Sequence, residues 1–244
     1  MSSADFLARG LIEAFLLITS LNPYVLSITL VSISVSSTAV ILAALTAIPL
    51  ASALSFARFR GRQALIMLIN TGMGLPPVFV GLVVFLMLVP AGPLGFLDMV
   101  YTREAMILAQ YILITPIITG ISLAAIQSVP RLLTDTVYTL GGSEKDAMVA
   151  TLKEARSGII TAVLAGLGRA LAEVGAVLIV GGNIARTGSI GGIGEGLSET
   201  RTLTTAITSE TGRWNISTSI ALGVILIILV LSVNVMANYF QRRD

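Results

Sequence analysis

The sequence predicts an all-α polytopic membrane protein, with about five spanning helices behind an N-terminal interfacial helix. Three observations lead there. Of 244 residues, 55% are hydrophobic and 11% are charged, whereas a soluble domain averages about a quarter charged. The mean hydropathy is +0.93. Several apolar stretches reach the roughly 20 residues that cross a bilayer as helix. We divide the chain into an N-terminal amphipathic segment, 1–25, and one membrane domain, 26–240, with no separate soluble enzyme expected.

Residues 6–21 are apolar but interrupted by Arg9 and Glu13, and Asn22 and Pro23 close them. Sixteen residues of helix reach roughly 24 Å, short of the ~30 Å hydrocarbon core. This segment is expected to lie at the interface; the alternative is a sixth span. The start of the chain lacks the basic region of a cleavable signal peptide, so insertion through its own spans is expected. The five spans are read at 26–51, 64–89, 105–127, 159–180 and 216–237. The second contains Pro76 and Pro77, with Gly72, Gly74 and Gly81 nearby, and must kink there.

Basic residues orient the spans. Arg58, Arg60, Arg62, Arg131, Lys145, Lys153, Arg156, Arg242 and Arg243 fall on one side, in short segments. Arg9, Arg103, Arg186, Arg201 and Arg213 are spread over longer segments on the other. The first side is expected to be cytoplasmic, with the N-terminus outside and the C-terminus inside.

The polar stretch 129–156 falls on that cytoplasmic side. Pro130 suits a first helical turn, and Leu133, Val137 and Leu140 recur at i, i+4 and i+7. Gly141 and Gly142 end this helix. Ser143 caps a second one, with Asp146 three residues on in a box-like arrangement. Ala147, Met148, Thr151 and Leu152 line one side of it. Two short amphipathic helices around a glycine turn suit a membrane surface and another protein.

This stretch resembles the cytoplasmic loop of importer permeases of the ATP-binding-cassette (ABC) class. Asp135, Thr136 and Val137 stand where that loop has Glu-Ala-Ala, and Gly141 falls at the family's spacing. Thr151, Lys153 and Glu154 replace its Ile-x-Leu-Pro ending. The run Gly168, Arg169, Ala170, then Glu173, Val174, Gly175, Ala176 and Val177, followed by Gly-Gly-Asn-Ile at 181–184, is similar to the tungstate type. So are residues 74–78 (Gly-Leu-Pro-Pro-Val) and 203–207 (Leu-Thr-Thr-Ala-Ile). Residues 188–196 form a glycine-rich insert relative to that pattern. The resemblance spans roughly residues 20 to 240.

It implies an ABC importer type I transmembrane domain. Asp135, Val137, Leu140, Gly141, Gly142, Ser143, Asp146, Met148 and Leu152 would form the loop that couples to an ATPase. The implied partners are two ATPase subunits, an extracytoplasmic oxyanion-binding protein, a second copy of the chain and the bilayer. Tungstate is the expected cargo, then molybdate, sulfate or another anion. No bound cofactor, metal site or nucleic acid is expected.

Arg169 and Glu173 are the only charges well inside a predicted span. Four residues apart, they share one helical face and can pair. Two readings stand: they border the route of an anion, or they lock the helix against its neighbours. Gly166, Gly168 and Gly175 around them suit close helix packing near a subunit interface. Pro76 and Pro77 could serve as a gate hinge. The hydroxyls of the first span, Ser34 among them, could line a pore or bond back to their own helix. The outer segments 90–102 and 181–213 could receive the binding protein or act as flexible connectors.

The composition narrows the alternatives. Cysteine and histidine are absent, which excludes disulfides, thiolate metal sites and histidine bases. Lys145 and Lys153 are the only lysines and neither follows glycine, so there is no phosphate-binding loop and any ATPase must be a separate chain. An integral membrane enzyme lacks a cluster of catalytic groups. A self-contained channel or secondary transporter would show an internal repeat and would not need a docking loop.

Overall fold

The computed structural model describes residues 3–57, 59–185 and 197–241. Those residues form eleven α-helices and one 3-10 turn, Gly95–Leu97. The 188–196 insert lies outside the described residues.

Helix α1, Ser3–Thr19, has 17 residues and reaches about 26 Å. Leu11, Ile12, Phe15 and Leu16 are exposed while Ala14 is buried, and the α-carbon of Gly10 faces Ile216 and Ile220. The chain turns just past this helix at Leu21, whose φ is +49°. Asn22 then caps the next helix by accepting the N–H of Tyr24 at 2.9 Å. That helix, α2, is Pro23–Phe56, 34 residues long and longer at both ends than the 26–51 expected.

The second expected span is two helices, α3 (Arg62–Met73) and α4 (Pro77–Leu88), bent by 103° across the break. A proline pair gives a complete interruption here instead of a kink. Pro76 sits in an extended conformation as the N-cap and Pro77 opens α4, the one helical position where a missing N–H does no harm. Helix α5 is Arg103–Gln127 and tolerates Pro116.

The polar loop folds as α6 (Arg131–Thr139) and α7 (Glu144–Glu154). The fourth expected span is also broken, into α8 (Arg156–Leu171) and α9 (Gly175–Gly181), bent by 59°. Helix α10 (Leu203–Gly212), which the sequence does not announce, occupies part of the outer segment 181–213. Helix α11 is Ile216–Gln241. Among the described residues three helices are long and apolar enough to span a membrane, and up to five spans result if each bent pair counts as one.

The chain divides into two compact units. One comprises residues 1–39, 76–110 and 170–232, the other 40–75, 111–169 and 233–244. In the first, Tyr24, Val25 and Ile28 of α2, Leu203 and Ala206 of α10 and Leu222 of α11 make one core. In the second, Ala51, Leu54, Ile69, Leu123, Ile126 and Ala155 make another, gathering the ends of α2 and α5 with the starts of α3 and α8. Ser157 Oγ donates to the Phe240 carbonyl at 3.0 Å, which brings the end of α11 to the start of α8. Arg62 opens α3 and Arg156 opens α8, two of the elements joined at this second core.

Candidate functional site

The second unit carries the α6–α7 hairpin. Helix α6 follows an extended Pro130 and closes at Gly141, whose φ of +83° is a left-handed conformation that favours glycine. The Gly142 N–H donates to the Val137 carbonyl at 2.9 Å. A β-carbon on Gly142 would lie 2.6 Å from Val137 Cγ1 and 2.9 Å from that carbonyl oxygen, so the turn requires glycine there for space. Ser143 then caps α7: its Oγ accepts the Asp146 N–H, and its own N–H donates to Asp146 Oδ2 at 2.8 Å. The Ser143 hydroxyl also donates to Oδ2 at 2.6 Å. These bonds, the side-chain one foremost, hold the Asp146 carboxyl below the usual carboxylate range.

Ala147 and Thr151 are buried, and Leu152 packs on the core of the second unit. This fixes α7 to the ends of α2 and α5. Leu133 and Val137 are half-buried. Leu140 follows the last helical residue of α6 and is 82% exposed. Leu132, Tyr138, Met148 and Val149 are exposed beside it in sequence or on the partner helix. Asp135 is also exposed. The hairpin is therefore anchored through α7 and carries exposed apolar residues on both helices, and exposed apolar surface can mark an interaction site.

The first unit carries α4 and α9, the helices that follow the two breaks. Helices α4 and α9 meet backbone to backbone: a β-carbon on Gly81 would lie 2.6 Å from Ala176 Cα, and one on Gly175 would lie 2.6 Å from Val78 Cγ2. Small residues allow such contact. Glu173 lies between α8 and α9 and is buried. Its Oε1 accepts the Ala176 N–H at 3.1 Å, capping α9 from within the break. Arg169 lies in the last turn of α8 and is exposed. The expected single helical face holding both residues does not exist, because α8 ends at Leu171.

Interrupting a helix frees backbone groups that must be paired again inside a membrane. Residues 198–205 do much of this work. Thr204 Oγ1 donates to the Glu173 carbonyl at 2.6 Å, and Thr200 Oγ1 to the Gly181 carbonyl at 2.5 Å. Thr200 Oγ1 also accepts the Ile184 N–H at 2.8 Å. Gln110 Nε2 donates to the Ala170 carbonyl at 3.1 Å, next to the break, while its Oε1 is buried without a hydrogen-bond partner.

Helix α10 is itself held by a buried polar network. Glu210 is 0% exposed. Its Oε1 accepts the Tyr24 hydroxyl at 2.8 Å and lies 3.7 Å from Arg201 Nη1 and 3.8 Å from Arg213 Nη1. Arg201 Nη1 donates to Tyr24 Oη at 2.7 Å, and Asn215 Nδ2 donates to Glu210 Oε2 at 3.1 Å. In α2, Ser32 Oγ accepts the Leu203 N–H at 2.6 Å, whereas Ser34 is exposed. The sequence reading missed Tyr24, Arg201 and Glu210. The local signal was the Thr202 and Thr205 capping box that starts α10.

The comparisons with known proteins agree with one another. The family described as "Binding-protein-dependent transport system inner membrane component" matches residues 39–243. A "Probable anion ABC transporter permease protein" of Haloferax volcanii is 49% identical over 220 residues, covering 90% of this chain and 92% of its own. A tungstate uptake system permease of Peptoclostridium acidaminophilum is 32% identical, covering 98% and 99%. Among solved structures, a chain of an amino acid ABC transporter superposes with a TM-score of 0.67 at 18% identity, covering 94% and 98%. At that identity the likeness establishes the fold alone, an ABC transporter transmembrane domain. The chain belongs to the family of binding-protein-dependent transport system inner membrane components, the permeases of ABC transporters.

Proposed function

We propose that this chain is the membrane-spanning subunit of an ATP-driven importer that carries tungstate delivered by an extracytoplasmic binding protein. The observation that carries this reading is the anchored α6–α7 hairpin with its exposed apolar residues, Leu132, Tyr138, Leu140, Met148 and Val149. Two copies of the chain would each present one hairpin to one of two cytoplasmic ATPases. ATP binding would draw the ATPases together, swing the hairpins and open the pore outward; hydrolysis would reset it. The chain itself would bind no ATP and no cofactor.

In this arrangement the hairpin is cytoplasmic, the N-terminus is outside and α1 lies at the interface. Pro76, Pro77, Ser34, Arg169, Glu173 and Gly175 border the pore or the contact between the two copies. Tungstate is favoured by the motifs at 74–78, 168–184 and 203–207 and by the tungstate permease at 32% identity. The relative at 49% is named for an anion in general, so molybdate and sulfate are the next candidates.

ATP dependence tests the importer reading. Uptake of tungstate by cells carrying the chain should stop when cytosolic ATP is depleted while the membrane potential is clamped. Undiminished uptake under that condition would contradict the reading and favour a self-contained channel or secondary transporter.

A further inference from the structure

Behind the α6–α7 hairpin the second unit encloses a groove of about 1120 Å³. Its cations come from three separate elements. Arg62 opens α3, Arg131 opens α6, and Lys145 lies in the first turn of α7. Glu144 is the one acid among the described residues lining it. Arg62 Nε donates to the Leu54 carbonyl at 2.6 Å, which holds the guanidinium against the groove wall. The three positive charges converge on one concavity from positions 69 and 14 residues apart in sequence.

The rest of the lining is of a different kind. Phe56, Ile126, Val129 and Met148 give the groove apolar surface. Phe56 is the last residue of α2, and Ile126 belongs to the last turn of α5. These are the ends of two spanning helices, the depth at which lipid headgroups begin.

We propose that this groove binds the headgroup of an anionic phospholipid, its phosphate among Arg62, Arg131 and Lys145 and its glycerol on the apolar surface. Basic pockets at the ends of spanning helices take such headgroups. A free inorganic anion would satisfy the cations but leave the apolar lining wet. A bound lipid would brace the hairpin, because Tyr138 of α6 and Met148 of α7 both line the groove. The proposal needs the chain to span a bilayer; it does not depend on tungstate or on the ATPase.

Native mass spectrometry of the purified full-length chain, exchanged into phosphatidylglycerol or phosphatidylcholine micelles, tests it. The wild type should retain phosphatidylglycerol selectively. Replacing Arg131→Gln together with Lys145→Gln should lower that retention roughly 30-fold, at about one surface charge's attraction each. This pair leaves Arg62 and its bond to Leu54 in place, and a monodisperse elution profile verifies folding. Lys153→Gln, on the same hairpin outside the groove, should retain lipid as the wild type does. Glu144→Gln should strengthen retention. Equal retention by the double variant and the wild type would overturn the proposal. So would displacement of the lipid by inorganic phosphate at equal concentration, which would make the site one for free anions.

Discussion

Gly141→Glu is expected to abolish tungstate uptake while the protein still inserts and accumulates. A β-carbon at Gly141 meets nothing within 4 Å, but the φ of +83° is one that glutamate adopts only with strain, on the order of 1–2 kcal/mol. That strain is confined to a turn whose following helix is anchored elsewhere, α7 through Ala147, Thr151 and Leu152. The fold therefore survives. What changes is the exposed surface: a carboxylate replaces the bare turn beside Leu140, the most exposed apolar residue of the hairpin. A docking ATPase would have to desolvate that charge. Uptake assays paired with membrane immunoblots read the two effects separately. Normal uptake by the variant would refute the docking role of the hairpin.

The second large effect concerns stability. Arg201→Met should leave Glu210 buried at 0% exposure with only Arg213, whose side chain is 56% exposed, as a cationic neighbour. Removing one partner of a buried pair costs about 3–5 kcal/mol, because the remaining charge is stranded. The helix affected is α10, whose Thr204 pairs the Glu173 carbonyl at the α8–α9 break. Thermal unfolding in detergent should show a large drop in melting temperature. The double variant Arg201→Met with Glu210→Met should recover most of it, since replacing both partners by apolar groups removes the stranded charge. A single variant that melts like the wild type would show that the network does not hold α10.

The contrast between these two sites explains what the sequence revealed. The hairpin was legible because its determinants are local: Pro130, Gly141, Gly142, and Ser143 with Asp146 all act within a few residues of one another. The spans were legible from apolar length alone, and Pro76 and Pro77 marked the first break, though a proline pair does not specify how far the chain turns.

The second break had no such marker. Residues 171–175 contain no proline, and the spacing of Arg169 and Glu173 suits an unbroken helix equally well. Its hydrogen bonds are made good by Thr204, 31 residues away, and by Gln110, 60 residues from the Ala170 carbonyl it serves. Helix α10 was hidden for the same reason. A threonine-rich segment carrying Arg201 and Glu210 reads as an exposed loop until Tyr24, 186 residues from Glu210, is brought beside it. Buried charge is recognisable only once its partners are known.

The central claim, an importer whose cargo is tungstate, is tested most directly by the tungsten and molybdenum content of cells with and without this chain. Elemental mass spectrometry at limiting external oxyanion measures both metals in one sample. Tungsten should fall selectively when the chain is removed, with molybdenum little changed. Tungsten that stays at the level of cells carrying the chain would contradict it.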